Sequence, residues 1–179
     1  MPSLVPLSAV PSHLIDDLLD AAFEPERRTR TAYRIREGSD FLSALSFAAL
    51  DDEQYLVGSI QLWPIALTDP LGRAHPLIMV GPVAVLPAHQ GEGYGKALMT
   101  AALGAIDGLC EEGAARLPQV LIGDASYYAR FGFVEAPQAW HCPGPWDPER
   151  LLVRGDPAAL PPAGMLGPWR GADSASLAN

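Results

Sequence analysis

The stretch from Leu77 to Leu103, LIMVGPVAVLPAHQGEGYGKALMTAAL, is an apolar strand that runs through a glycine-rich turn directly into a helix. Gly91, Gly93 and Gly95 alternate at the turn. The backbone there can adopt angles closed to residues with a Cβ, and no side chain blocks an approaching ligand. The first turn of the following helix adds unpaired N–H groups and the positive end of the helix dipole, which together form a site for a pyrophosphate. A phosphorylated cofactor is the first expectation.

The spacing decides between cofactors. A P-loop needs glycine, four residues, then Gly-Lys-Ser/Thr; counting back from Gly95-Lys96 puts Gln90 where the first glycine belongs, and Ala97 replaces the magnesium-binding hydroxyl. The dinucleotide fingerprint G-x-G-x-x-G breaks at Lys96. What remains is Gln-x-x-Gly-x-Gly, filled by Gln90, Gly93 and Gly95 and preceded by Val83-Ala84-Val85-Leu86-Pro87. Downstream, Leu117 to Val134 reads LPQVLIGDASYYARFGFV: an apolar strand, a short helix with Tyr127 and Tyr128, then Phe131-Gly132-Phe133 opening another strand. One helix joins the two motifs, a connection of the size that parallel pairing of their strands requires.

These two ordered motifs resemble the acetyl-CoA signature and the Tyr-x-x-x-Gly-Phe element of the GNAT N-acetyltransferases. The N-terminal part, FEPERRTRTAYRIREG from Phe23 to Gly38 with LSFAAL and the strand around Ile60, is similar to the YhbS-like bacterial branch. The resemblance covers roughly Leu14 to Arg154. It implies an α/β (α+β) fold, with a mixed, mostly antiparallel sheet of about six or seven strands, about four flanking helices and a splayed pair of central parallel strands. Pro82, which cannot donate to a ladder, fits the splayed strand.

By the same resemblance, backbone groups of Val83, Ala84 and Val85 hold pantetheine and polarise the thioester carbonyl. The backbone from Gln90 through Gly91, Glu92, Gly93, Tyr94 and Gly95 to Lys96 holds the pyrophosphate, and Tyr128 is the general acid. The implied activity is direct acetyl transfer from acetyl-CoA to a primary amine of a small molecule, peptide or protein, with neither a nucleophilic residue nor a metal. The alternative is a catalytically idle acyl-CoA sensor; a third reading is transfer of a longer acyl chain. Glu92 sets a carboxylate beside a dianion, so its side chain is expected to point to water. The strand Leu77 to Leu86 carries no Glu or Asp to act as base. Glu24, Glu26, Glu53 and His75 are the candidates, and an acceptor amine of low pKa needs none.

A chain of 179 residues reads as one domain, 1–170, with a small polar tail, 171–179, expected to be mobile. No apolar run approaches the roughly 18–20 residues that span a bilayer, and no basic region precedes an apolar stretch at Met1. A soluble cytoplasmic protein without membrane partners is expected, and a homodimer is left open. The net charge of −9 disfavours nucleic acid and suits a cationic acceptor. Cys110 and Cys142 show no metal or disulfide spacing and read as two free thiols.

Arg27, Arg30 and Arg34 share a face at helical spacing; they read either as a solvated face anchored by Glu24, Glu26 and Glu37, or as a site for an acidic acceptor or the cofactor's 3′-phosphate. Lys96, the only lysine, is either a phosphate contact or a surface residue. Periodicity predicts strands over Ser3–Leu7, Ser43–Leu50, Gln54–Leu67 and His75–Leu86, and helices from Pro11, over Arg27–Arg36 and over Gly93–Glu112. In the long helix Ala97, Leu98, Ala101, Ala102 and Ile106 form the packing face. Pro137 to Pro148 is expected to be an ordered loop whose Trp140 and Trp146 plug the sheet edge or lid a pocket, and Glu149–Arg154 the last strand.

Overall fold

The computed structural model describes residues 2–171, so most of the tail expected to be mobile lies outside the described residues. Seven strands follow one path, β1 (Ser3–Pro6), β2 (Phe47–Leu50), β3 (Leu56–Thr68), β4 (Ala74–Val85), β5 (Gln119–Ile122), β8 (Leu151–Arg154) and β6 (Val134–Glu135), in that spatial order. Every pairing along it is antiparallel except β4 with β5. Those two strands are joined by the long helix α3 (Tyr94–Glu111), and a parallel pair needs such a crossover. The remaining helices are α1 (Ser12–Phe23), α2 (Thr31–Ile35) and α4 (Ala125–Tyr128). The expected mixed sheet with four helices and one central parallel pair is what forms.

Two layers cover the sheet. Leu98, Met99, Ala102, Leu103 and Ile106 of α3 pack over Ile60, Leu62, Ile78 and Val80. The buried stripe is thus larger in side-chain volume than the alanine-rich face expected, because Ala97 and Ala101 sit at its half-buried margins. On the opposite face, Ile15, Leu18 and Leu19 of α1 pack on Ala48 and Ala84. Ile35 of α2 joins a neighbouring core there with Met79, Val120 and Trp140.

A bulge interrupts β4. Ile60 pairs with Val83 and Leu62 with Val80, so while β3 advances two residues β4 uses one more. The extra residue falls at Gly81-Pro82, and it switches the alternation: Val80 faces α3 and Met79 the other side, whereas beyond the bulge Val83 faces α3 and Ala84 faces α1. Trp63 Nε1 donates to the Gly81 carbonyl at 2.8 Å and holds the bulge in place.

The C-terminal third differs from expectation. The predicted loop after Pro137 contains a short strand, β7 (Ala139–His141), and the chain does not end on Glu149–Arg154: it continues to β9 (Ala163–Pro168). β9 pairs antiparallel with the outer half of β3, Ile65 to Thr68, and parallel with β7. The edge of β3 is free for it because β2 leaves β3 at Ile60. Pro64 lies in the gap between those two partners, where a missing N–H interrupts neither ladder. Trp140 is buried as the plug between these strands, with Nε1 donating to the Pro161 carbonyl at 2.7 Å.

Candidate active site

β4 and β5 pair only at Ile78–Gln119 and Met79–Val120 and then part. From Val80 to Val85 the edge of β4 that faces away from β3 therefore has no strand beside it among the described residues, and its peptide groups are available to a ligand. A cavity of about 840 Å³ opens at the fork. Met79 to Val83 form one wall, Leu121 to Asp124 with Tyr127 and Tyr128 another, and the α1–α2 corner a third.

The glycine turn closes one end of β4. Gly91 (φ 85°) and Gly93 (φ 91°) both take left-handed angles, and a Cβ on either would meet nothing within 4 Å. Gly93 is the N-cap of α3: its carbonyl accepts from Ala97 N–H at 3.0 Å, which leaves the N–H groups of Tyr94, Gly95 and Lys96 without helical partners. Gln90 Nε2 reaches back to the Val85 carbonyl at 3.4 Å. Glu92 is exposed as expected, and its Oε2 lies 3.1 Å from His89 Nδ1, which gives the carboxylate a partner of its own. Free helix N–H groups beside open, left-handed glycines suit a pyrophosphate. Lys96 is exposed beside it.

On the far wall, α4 is a single turn fixed by its cap. The Asp124 carboxylate accepts from Ser126 N–H at 2.9 Å and from its hydroxyl at 2.7 Å, and these bonds hold Asp124 below its ordinary carboxylate range. Tyr128 ends that turn. Its ring lies on Gly123, where a Cβ would come within 2.5 Å of Cε2, and is crossed at 90° by Tyr127 with centroids 4.9 Å apart. Gly132 (φ 87°) turns the chain into β6 so that Phe133 is buried behind the Tyr128 ring, 6.3 Å between centroids. Burial pushes the Tyr128 phenol above its ordinary value, and Tyr127 adds to the shift against a smaller pull from Arg150.

Gly123 carried no signal in the sequence; its need appears only where a distant side chain covers it. Replacing Gly123 by Ala should push the Tyr128 ring off its seat and lower turnover about tenfold. A preserved CoA-induced thermal shift would separate this from unfolding, and an unchanged turnover would show that the seat is dispensable. Tyr127 also lines the cavity, and its hydroxyl is 3.8 Å from where a Cβ on Gly95 would sit. It spans the gap between α4 and the first turn of α3.

The arginine segment departs most from its reading. It is not one helix: Pro25–Thr29 forms a 3-10 turn, Arg30 is extended and α2 begins at Thr31. Arg28, Arg30 and Arg34 are exposed, but Arg27 and Arg36 are 3% and 5% exposed. Arg27 is held by Asp20 at 2.9 Å and Asp16 at 3.2 Å, both from α1, and not by the nearby glutamates. Two carboxylates on one face of α1 offset the cost of burying it, which local helical periodicity cannot reveal. The Thr31 hydroxyl donates to the Pro145 carbonyl and ties α2 to the loop whose Trp146 lines the cavity. Trp140 plugs, then, while Trp146 faces the pocket.

None of the four candidate bases lines the cavity. His75 Nε2 is bonded to Asp69 at 2.9 Å in the β3–β4 turn, and Glu53 lies in the β2–β3 turn. Burial pushes the Cys142 thiol up to about 11, which keeps it an inert neutral group, and both cysteines are free. No helix among the described residues is long and apolar enough to cross a membrane.

The family model of the acetyltransferase (GNAT) domain matches residues 43–135. Among solved structures, the chain is similar to the GNAT family N-acetyltransferase YhbS from Escherichia coli in complex with CoA, at 26% identity over 94% of this chain and 89% of that one, with a TM-score of 0.67. It is also similar to a GNAT family acetyltransferase from Brucella melitensis in complex with acetyl-CoA, at 29% identity over 75% of this chain and 83% of that one, with a TM-score of 0.51. No curated protein matches.

Proposed function

Because the chain belongs to the GNAT acetyltransferase family, we propose that it transfers acetyl from acetyl-CoA directly to a primary amine. The observation that carries this reading is the fork at Met79–Val120, which opens between a glycine-capped helix N-terminus and a protonated tyrosine. Bound acetyl-CoA supplies an activated thioester. The free edge of β4 from Val83 to Val85 orients its pantetheine arm, and the amides from Gln90 to Lys96 neutralise its pyrophosphate. An N–C bond forms as the C–S bond breaks; the amine gives up one proton and Tyr128 delivers one to the sulfur.

Proton removal from the amine has no obvious carboxylate, since Asp124 is the one acid lining the cavity and is engaged in capping α4. Arginines around a bound ammonium disfavour its charged form, so the amine can enter deprotonated. The same feature favours the second reading, an acyl-CoA sensor without turnover. Residence in the cytoplasm belongs to the proposal as well.

Acetyl-CoA and free CoA at about 100 times Kd should each stabilise the protein by about 2.7 kcal/mol, a rise of roughly 5–10 °C in Tm for a domain of this size. ATP and NAD should not, and an equal shift with NAD would return the turn to the dinucleotide class. Thiol release from acetyl-CoA against a broad amine panel then divides transferase from sensor: sustained turnover with any amine supports the first, binding without turnover the second.

A further inference from the structure

We propose that the arginine-lined end of the cavity is a carboxylate subsite, so that the acceptor is a small amine that also carries a carboxylate, anchored by Arg36; this rests on the transferase reading above. Arg36 and Arg27 are buried alike, and they differ in one respect. Arg27 has Asp16 and Asp20. Arg36 Nη1 is buried with no hydrogen-bond partner. Its guanidinium carbon lies 4.1 Å from the Tyr33 ring centroid and 4.0 Å from that of Trp63, and the residue lines the cavity.

A desolvated cation without a counter-charge is costly, and a ligand carboxylate relieves that cost. Burial lowers the Arg36 pKa to about 10 against an upward pull from Tyr33, with Arg27 adding a smaller downward share, so the group remains charged at neutral pH. Arg30 and Arg150, both exposed, line the same cavity. With Arg27 matched by Asp16 and Asp20, three further arginines face one aspartate there, in a chain whose net charge is −9. A diamine would meet this surface with its own unmatched charge, whereas the carboxylate of an amino acid would be neutralised by it. The CoA phosphates are served elsewhere: their turn opens α3, which packs on the other face of the sheet from α2.

The test is calorimetric titration of the CoA-saturated protein with N-acetyl derivatives of glycine, alanine, leucine, phenylalanine and glutamate, each against its carboxamide. At least one carboxylate should bind about tenfold more tightly than its amide, the scale of one charged hydrogen bond. Arg36→Gln should remove the difference and Arg36→Lys restore part of it, with the CoA thermal shift retained in both. Should Arg36→Gln fail to fold, Arg30→Gln is expected to reduce the difference about threefold. Equal binding of acid and amide, binding of none, or tighter binding of 1,4-diaminobutane overturns the subsite. So does an Arg36→Gln variant that loses affinity for CoA but not for dephospho-CoA, which would assign Arg36 to the 3′-phosphate. If the carboxylates bind with this discrimination but no amine is acetylated, the transferase reading falls and the subsite stands; acetylation indifferent to the carboxylate gives the reverse.

Discussion

Replacing Tyr128 by Phe is expected to lower kcat about 100-fold while KM for acetyl-CoA stays within about twofold, the low end of the usual worth of general acid catalysis because a thiolate leaves tolerably without help. The ring keeps its seat on Gly123 and its contacts with Tyr127 and Phe133, so packing should not change. Only the hydroxyl is lost. Tyr127→Phe serves as the counterpart: its hydroxyl approaches the first turn of α3, so its loss should raise KM for acetyl-CoA and spare kcat. Equal losses of kcat at the two positions, or a larger one at Tyr127, would remove Tyr128 from the acid role. The pH profile gives a second reading. Burial raises the Tyr128 pKa above its ordinary value, so the proton is present throughout the neutral range and is lost only as pH rises through the raised pKa. An alkaline limb of kcat below pH 9 that disappears in Tyr128→Phe would contradict the burial seen here.

The two motifs that point to acyl-CoA chemistry were legible because each is local. Alternating glycines need left-handed angles, and Gly91 and Gly93 take them; a tyrosine four residues before Gly-Phe sits at the end of one turn, as Tyr128 does. Pro82 marked the interruption of β4, but the extra residue that re-aims its side chains is defined only against β3. Contacts across the chain were hidden for the same reason. Arg27 looks like a surface residue until Asp16 and Asp20 of α1 are brought to it, and Arg36 until Trp63 covers it. β9 reads AGMLGP, with two glycines and a proline, and has no strand signature of its own. It is a strand because β2 leaves half an edge of β3 unpaired, and open edges recruit partners.

The substitution Gly93→Val is expected to abolish the CoA-induced rise in Tm and to lower the Tm of the free protein by about 2–10 °C. Gly93 has φ 91°, a conformation a β-branched residue resists at a cost of about 1–3 kcal/mol, yet a Cβ there meets no protein atom within 4 Å. The core is therefore spared. What changes is the mouth of the turn, where the added branches stand in front of the free N–H groups that open α3 and the strained N-cap turns those groups out of line. Strain alone has a control in the same molecule. Gly72, in the β3–β4 turn, has φ 82° and equally open space around it, so Gly72→Val carries a similar cost far from the fork. That variant should lose a similar amount of Tm and keep the full CoA shift. If Gly93→Val binds CoA as the unaltered protein does, the phosphate cradle lies elsewhere; if Gly72→Val loses the shift as well, binding is sensitive to stability rather than to the geometry of the turn.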